Sequence, residues 1–193
     1  MKNGSMFATA MEAHLDGVPH VENEITAYVK LKDLYDVTSL ASRSETHEQW
    51  QIPMGSKKAK ARIRLTDGVE YSYTIKEKTK QDGLSIESEE RISKTFFEVM
   101  KRSLAENGYL KTRHVIEIDN SDQVWEIDVF KKYSGEPSLW VKVDYELAEG
   151  ETDLPEIPFE YEDIIVPSIE EGREDEVSKL WDEEWAKLDD KDS

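Results

Sequence analysis

The sequence predicts an α+β domain built on antiparallel strands, with helices packed on the outside of the sheet. Three observations predict it. Several short segments alternate residue by residue between charged and apolar side chains, the period of a strand. Turn signals such as Asp67-Gly68 separate them. Other segments carry apolar residues at helical spacing and need a surface to cover. Two architectures satisfy this pattern. One is an open sheet with its charged side in water. The other is a barrel whose apolar faces pack outward under helices while its charged faces line a lumen.

The elements follow in order. Residues 1–20 show no clear period and read as an N-terminal extension, with Met6–Leu15 a candidate short helix. ITAYVKLK, 25–32, is a strand. In DLYDVTSLASR, Leu34, Val37 and Leu40 fall at helical spacing. Residues 43–58 read as a loop, with at most a short strand at Trp50–Ile52. KARIRLT, 60–66, and VEYSYTIKEK, 69–78, flank Asp67-Gly68 as a hairpin. Residues 79–85 form a polar turn. The stretch from Ile86 to Tyr109 contains a helix, with Ile92, Phe96, Val99, Met100 and Leu104 on one face and Gly108 as its stop. LKTRHVIEI, 110–118, QVWEIDVF, 123–130, and SLWVKVDYEL, 138–147, are strands. A final helix is expected over 168–190. Ser168 and Glu171 are spaced as a capping box, and Val177, Leu180, Trp181, Trp185 and Leu188 make its apolar stripe. A single domain over 1–193 accommodates all of this.

Composition excludes several classes of function. There are 43 acidic against 25 basic residues, a formal net charge of −18, which disfavours duplex nucleic acid and anionic membrane as partners. The same charge suits a partner protein with a basic surface. No cysteine is present, so disulfides, thiolate zinc sites and thiol nucleophiles are absent. No apolar run is long enough for a signal peptide or a membrane span, and a cytoplasmic location is the expectation.

Against that acidity, Lys57–Leu65 packs five basic residues into nine positions. Strand alternation puts Lys60, Arg62 and Arg64 on one face, opposite Ala61, Ile63 and Leu65. The same rule groups Lys76 and Lys78; Lys111 and Arg113; Glu126 and Asp128; and Lys142, Asp144 and Glu146. Eight cations on these faces meet four carboxylates, so the set reads as net basic. A basic surface of this kind is an anion site: Arg supplies bidentate forks for phosphate oxygens, and Lys adds point charge. No Gly-rich phosphate cradle is present. His14, His20, His47 and His114 show no metal-ligand spacing and read as surface or supporting residues.

RIRLTDG…YTIKEKT at 62–79, IESEE at 86–90, LKTRHVI at 110–116, WEIDVF at 125–130 and LWVKVDYEL at 139–147 come in a telling order. In this the chain resembles the CYTH superfamily, the triphosphate tunnel metalloenzymes, over about residues 22–150. The resemblance implies an antiparallel eight-stranded tunnel whose basic side chains bind a triphosphate and whose acidic ones hold magnesium or manganese. By motif, it implies that Arg62, Arg64, Lys76, Lys111 and Arg113 contact phosphate, with Lys78 and Lys142 adding charge. It implies metal ligation by Glu24, Glu87, Glu89 and Asp144. Glu126 and Asp128 would be acidic lumen residues that orient the bases or water.

The chain departs from the family pattern at two strands. The family opens with E-x-E-x-K, where this chain has Glu24, Thr26 and Tyr28; a shifted match uses Glu22 and Glu24 but still lacks the lysine. The late strand carries two glutamates within A-E-x-E, where this chain has Lys142 and Asp144. Fewer hard oxygen ligands and an added ammonium weaken a divalent-metal site. The expectation is therefore a tunnel that binds a triphosphate, nucleotide or polyphosphate with weakened or lost metal-dependent catalysis. The alternatives are an active metal-dependent triphosphatase, less probably an adenylate cyclase, and an acidic protein-interaction domain with a vestigial tunnel. No catalytic residue is assigned.

Overall fold

The computed structural model describes residues 18–56, 58–80, 84–104, 107–119, 121–132, 134–148, 151–167, 176–177 and 179–180. Its strands are β1 (His20–Leu31), β2 (Arg43–Ile52), β3 (Ala59–Thr66), β4 (Glu70–Lys78), β5 (Leu84–Arg91), β6 (Gly108–Glu117), β7 (Val124–Lys131), β8 (Pro137–Glu146) and β9 (Tyr161–Ile165). Two helices accompany them, α1 (Leu34–Leu40) and α2 (Lys94–Ser103). The strand order is β5-β4-β3-β2-β6-β7-β8-β1-β9, and a further β5–β1 pairing closes eight strands on themselves. Six pairings, β1–β8, β1–β9, β3–β4, β4–β5, β6–β7 and β7–β8, are antiparallel in register. No helix among the described residues is long and apolar enough to cross a membrane.

The chain divides into two compact units. Among the described residues, one comprises those within 18–22 and 49–108, the other those within 23–48 and 109–180. In the first, β3, β4 and β5 form a meander. Asp67 and Gly68 make the β3–β4 turn in the left-handed region, with φ of 50° and 72°, as the Asp-Gly signal predicts. Ser93 caps α2 by accepting from the Phe96 amide at 3.2 Å. The helix seats Phe97, 1% exposed, edge-on against Trp50 with ring centroids 5.6 Å apart. Lys101 then lies over the same indole at 4.8 Å. Gly108 passes against Trp50 so closely that a Cβ there would enter the ring.

The second unit holds the larger apolar cluster. Ile25, Ala27, Val29 and Leu31 of β1 pack with Ile127 and Val129 of β7 and Val141 and Val143 of β8. Val37 of α1 and Ile157, Phe159 and Val166 join them. Asp33 starts α1 by accepting from the Tyr35 amide at 2.8 Å.

Three expectations need correction. Residues 43–52 form a full strand, β2, rather than a loop. Its buried inward residues include His47 and Gln49, each 1% exposed, so no apolar alternation marked it. The stretch from Ile86 to Arg91 is strand, and the helix begins only at Lys94. Leu104 of the expected stripe is buried, but Phe97 rather than Phe96 is the helix's buried ring, seated on Trp50 and Tyr71, and Phe96 and Val99 stand exposed. His47 and His114 are buried, beside Glu45 and Ser44 respectively. A ninth strand, β9, pairs antiparallel with β1. The expected helix at Met6–Leu15 and nearly all of that at 168–190 lie outside the described residues.

Candidate functional site

In the first unit, the charged face is built by β3, β4, β5, the start of β1 and the end of β2. Lys76 is directly opposite Glu87 in the β4–β5 ladder, and Thr74 is opposite both Arg62 and Glu89. Arg62 Nε donates to Thr74 Oγ1 at 3.2 Å, and its Nη2 lies 3.5 Å from Glu87 Oε1 and 3.9 Å from Glu89 Oε2. Thr74 in turn donates to Glu89 Oε2 at 2.5 Å. Arg64, 7% exposed, donates from Nε to Gln49 Oε1 at 3.1 Å. Lys76 Nζ sits 2.6 Å from Glu22 Oε2, and His20 Nε2 lies 3.0 Å from Glu22 Oε1.

These contacts set the protonation of the carboxylates. Burial works to raise the Glu22 pKa, but Lys76 and His20 hold it below the ordinary value. Burial likewise opposes Arg64, Thr74 and Arg62 at Glu89, and there the partners prevail and the pKa falls. At Glu87 burial prevails over Arg62 and Lys76, aided by the like charges of Glu22 and Glu89, and the pKa rises. Donor atoms of His20, Glu22 and Glu87 all lie within 4.8 Å of one another, close enough for one cation.

In the second unit, the charged face runs across β6, β7, β8 and β1. Arg113 is opposite Asp128, Asp128 opposite Lys142, and Lys142 opposite Tyr28, so one rung reads Arg113–Asp128–Lys142–Tyr28. The next rung places Glu126 against Asp144 and Asp144 against Thr26. Asp128, 1% exposed, accepts from Arg113 Nε at 2.8 Å and Nη2 at 3.0 Å, and is paired with Lys111. Arg113 also pairs with Glu126. Burial alone would raise the Asp128 pKa, yet Arg113 and Lys111 hold it well below the usual carboxylate range.

Asp144 is taken on both oxygens. Oδ2 is paired with Lys142, and Oδ1 accepts from Thr26 Oγ1 at 2.7 Å. Burial would lower the Lys142 pKa, but Asp144, Glu24 and Asp128 keep it well above the ordinary lysine value.

The sequence-predicted residues thus fall into two groups. Arg62, Arg64, Lys76, Glu87 and Glu89 share the first unit's face; Lys111, Arg113, Lys142, Glu24, Glu126, Asp128 and Asp144 share the second's. Lys78 lies exposed at the end of β4. The expected net basic character does not hold. The eight cations of these faces, Lys60 and Lys78 included, meet eight carboxylates, Glu22, Glu24, Glu87, Glu89, Glu126, Asp128, Asp144 and Glu146. The strands that carry Glu22, Glu24, Glu87 and Glu89 were left out of the sequence count of the faces. Sequence reasoning also missed Gln49, on an unrecognised strand, and the joining of His20 to Glu22 and Glu87.

The expected four-carboxylate metal set does not fit this arrangement. Asp144 is closed by an ammonium and a hydroxyl, while Glu87 and Glu89 both border the Arg62 guanidinium.

No family model and no curated protein matches the sequence. Solved structures do. A proposed adenylyl cyclase from Hippeastrum, described as having a dominant triphosphatase activity, is 13% identical with a TM-score of 0.48 over 66% of this chain and 79% of that one. An inorganic triphosphatase, NE1496, is 19% identical with a TM-score of 0.45 over 79% of this chain and 89% of that one. A proposed adenylate cyclase from Bacillus halodurans is 15% identical with a TM-score of 0.46 over 66% of this chain and 81% of that one. In this chain's own strand pairings, eight strands close on themselves, with charged residues alternating against an apolar core.

Proposed function

We propose that this protein binds a triphosphate, nucleotide or polyphosphate on its charged strand faces, with magnesium- or manganese-dependent catalysis weakened or lost. The carrying observation is Asp144, whose two oxygens are engaged by Lys142 and Thr26. Where the family resemblance calls for two carboxylates on neighbouring strands, this chain supplies one carboxylate, one hydroxyl and an ammonium. Phosphoryl transfer depends on metal to neutralise charge and position the attacking oxygen. Positive charge from Lys142 neutralises phosphate without arranging that geometry.

The cations already serve carboxylates, so a phosphate must draw them away. Arg is suited to this, since its fork of five N–H donors can keep one partner while taking another. Thermal melts with tripolyphosphate or ATP, each in magnesium and in EDTA, test the reading. The expected result is stabilisation that persists in EDTA, of roughly 2.7 kcal/mol at about 100 times the dissociation constant. Stabilisation confined to magnesium, accompanied by phosphate release, overturns it.

One observation favours a second reading, a metal-dependent phosphohydrolase. His20, Glu22 and Glu87 could share a divalent cation, which would supply charge neutralisation when bound. The same melts separate the two readings.

A further inference from the structure

The charged strand faces balance, so the chain's net charge of −18 lies outside them. One place in the second unit joins that acidity to exposed rings. α1 turns Val37 and Leu34 to the apolar cluster and leaves Leu40 and Tyr35 in water, the latter 72% exposed. Asp33 fixes the helix start at the Tyr35 amide. β9 runs beside the foot of this helix: Tyr161, also exposed, is opposite Leu31, the last residue of β1.

Carboxylates gather at the same place. Lys32 Nζ lies 2.6 Å from Glu160 Oε2, and Lys30 Nζ lies 2.7 Å from Glu162 Oε2. The Lys32 pKa is raised by Glu160 first, and by Asp36 of α1 and Glu162 as well, so acidic groups of both elements converge on one exposed ammonium. Asp163 is opposite Lys30 in the ladder. Two lysines thus meet five carboxylates, Asp33 included, and negative charge is left over beside exposed tyrosines. A phosphate is repelled here. Guanidinium and ammonium groups fit: carboxylates accept their N–H bonds, a ring face attracts the cation, and tyrosine is a favoured anchor of protein interfaces. Lys30 and Lys32 hold Glu162 and Glu160 only as single, solvent-exposed pairs, which a longer array of cations can displace.

We propose that α1 and β9 form a docking surface for a lysine- and arginine-rich segment of a partner protein, with Tyr35 as its anchor and Asp36, Glu160 and Glu162 as its ion-pair acceptors. This surface is independent of the phosphate-binding reading above.

Fluorescence anisotropy of a labelled peptide of alternating arginine, lysine and serine, titrated with the whole chain in low and in physiological salt, tests it. Binding should occur and weaken with salt. Tyr35→Ala should weaken it about 10-fold at an unchanged melting temperature, since the ring is exposed. Lys32→Met should tighten it about 3-fold by releasing Glu160 and Asp36. Lys94→Met makes the same change in net charge at an exposed position on α2 and should leave the affinity as it was. Equal effects of the two lysine variants would reduce the binding to net charge and overturn the proposal. An unchanged affinity in Tyr35→Ala, or no binding at low salt, would overturn it too.

Discussion

Tyr28 and Lys142 face each other directly across the β1–β8 ladder, with Thr26 and Asp144 on the next rung. The family pattern puts lysine on the first of these strands and glutamate on the second. This chain keeps a cation on the same rung but brings it from the opposite strand. The carboxylate pair expected on the next rung has become a hydroxyl donating to a carboxylate at 2.7 Å. The two changes fit each other: with one carboxylate left and an ammonium beside it, the pair of rungs is neutral without metal.

Reversing both changes should reverse that state. Thr26→Glu with Lys142→Glu places three carboxylates on two rungs and removes the ammonium. The double variant should melt at a lower temperature in EDTA than the wild type and recover on adding manganese, whereas the wild type should respond little. Equal manganese responses would show that Lys142 does not exclude the ion.

Glu87 should make anion binding depend on pH. Burial holds its pKa up, so it protonates before its neighbours as pH falls. Once neutral, it releases Arg62 and Lys76 to a phosphate. Tripolyphosphate affinity should therefore rise as pH falls toward the carboxylate range, and Glu87→Gln should bind tighter near neutral pH with a flatter profile. The difference between the two profiles cancels the ligand's own titration. Parallel profiles would remove Glu87 from the linkage.

Asp128 should dominate acid stability. Its folded pKa lies well below the unfolded value, because Arg113 and Lys111 outweigh its burial. A depressed carboxyl stabilises the fold fully above its unfolded pKa of about 3.9, and that contribution disappears as pH falls from there toward the folded value. Asp128→Asn leaves two buried cations without their shared partner and should cost about 3–5 kcal/mol near neutrality. Urea titrations at neutral pH and near about pH 3 should show the variant's deficit shrinking in acid.

Gly108→Ala should destabilise through packing alone. A Cβ at this position enters the Trp50 indole, which is itself pinned by Phe97 and Lys101. A loss of about 2–3 kcal/mol in denaturant midpoint is expected, without any change in anion affinity. Trp50→Leu in the same background should recover part of it.

Much of this was legible in the sequence, and the failures have physical causes. The Arg62/Arg64 strand, its Asp67-Gly68 turn and the Glu126/Asp128 strand announce themselves because one face is apolar and buried while the other is charged. β2 does not, because His47 and Gln49 are buried on the polar face where charged neighbours satisfy them, so burial left no apolar mark. Ion pairing was invisible for a different reason. Alternation tells which face a side chain occupies but not which strand stands next to it, so Lys142 could be placed on a face without its hold on Asp144 being known.

The Thr26–Asp144 hydrogen bond joins residues 118 positions apart. On a ribosome, the first strand must therefore wait unpaired on that edge while more than half of the chain is made. Loop closure of this length slows folding. Refolding should show a late step that follows formation of the β3–β5 meander, visible as delayed hydrogen-exchange protection in β1 relative to β4. During that delay the Lys142–Tyr28 and Asp144–Thr26 pairs do not yet exist, so a phosphate ligand held there should leave the early phase unchanged and act only once β1 has paired with β8.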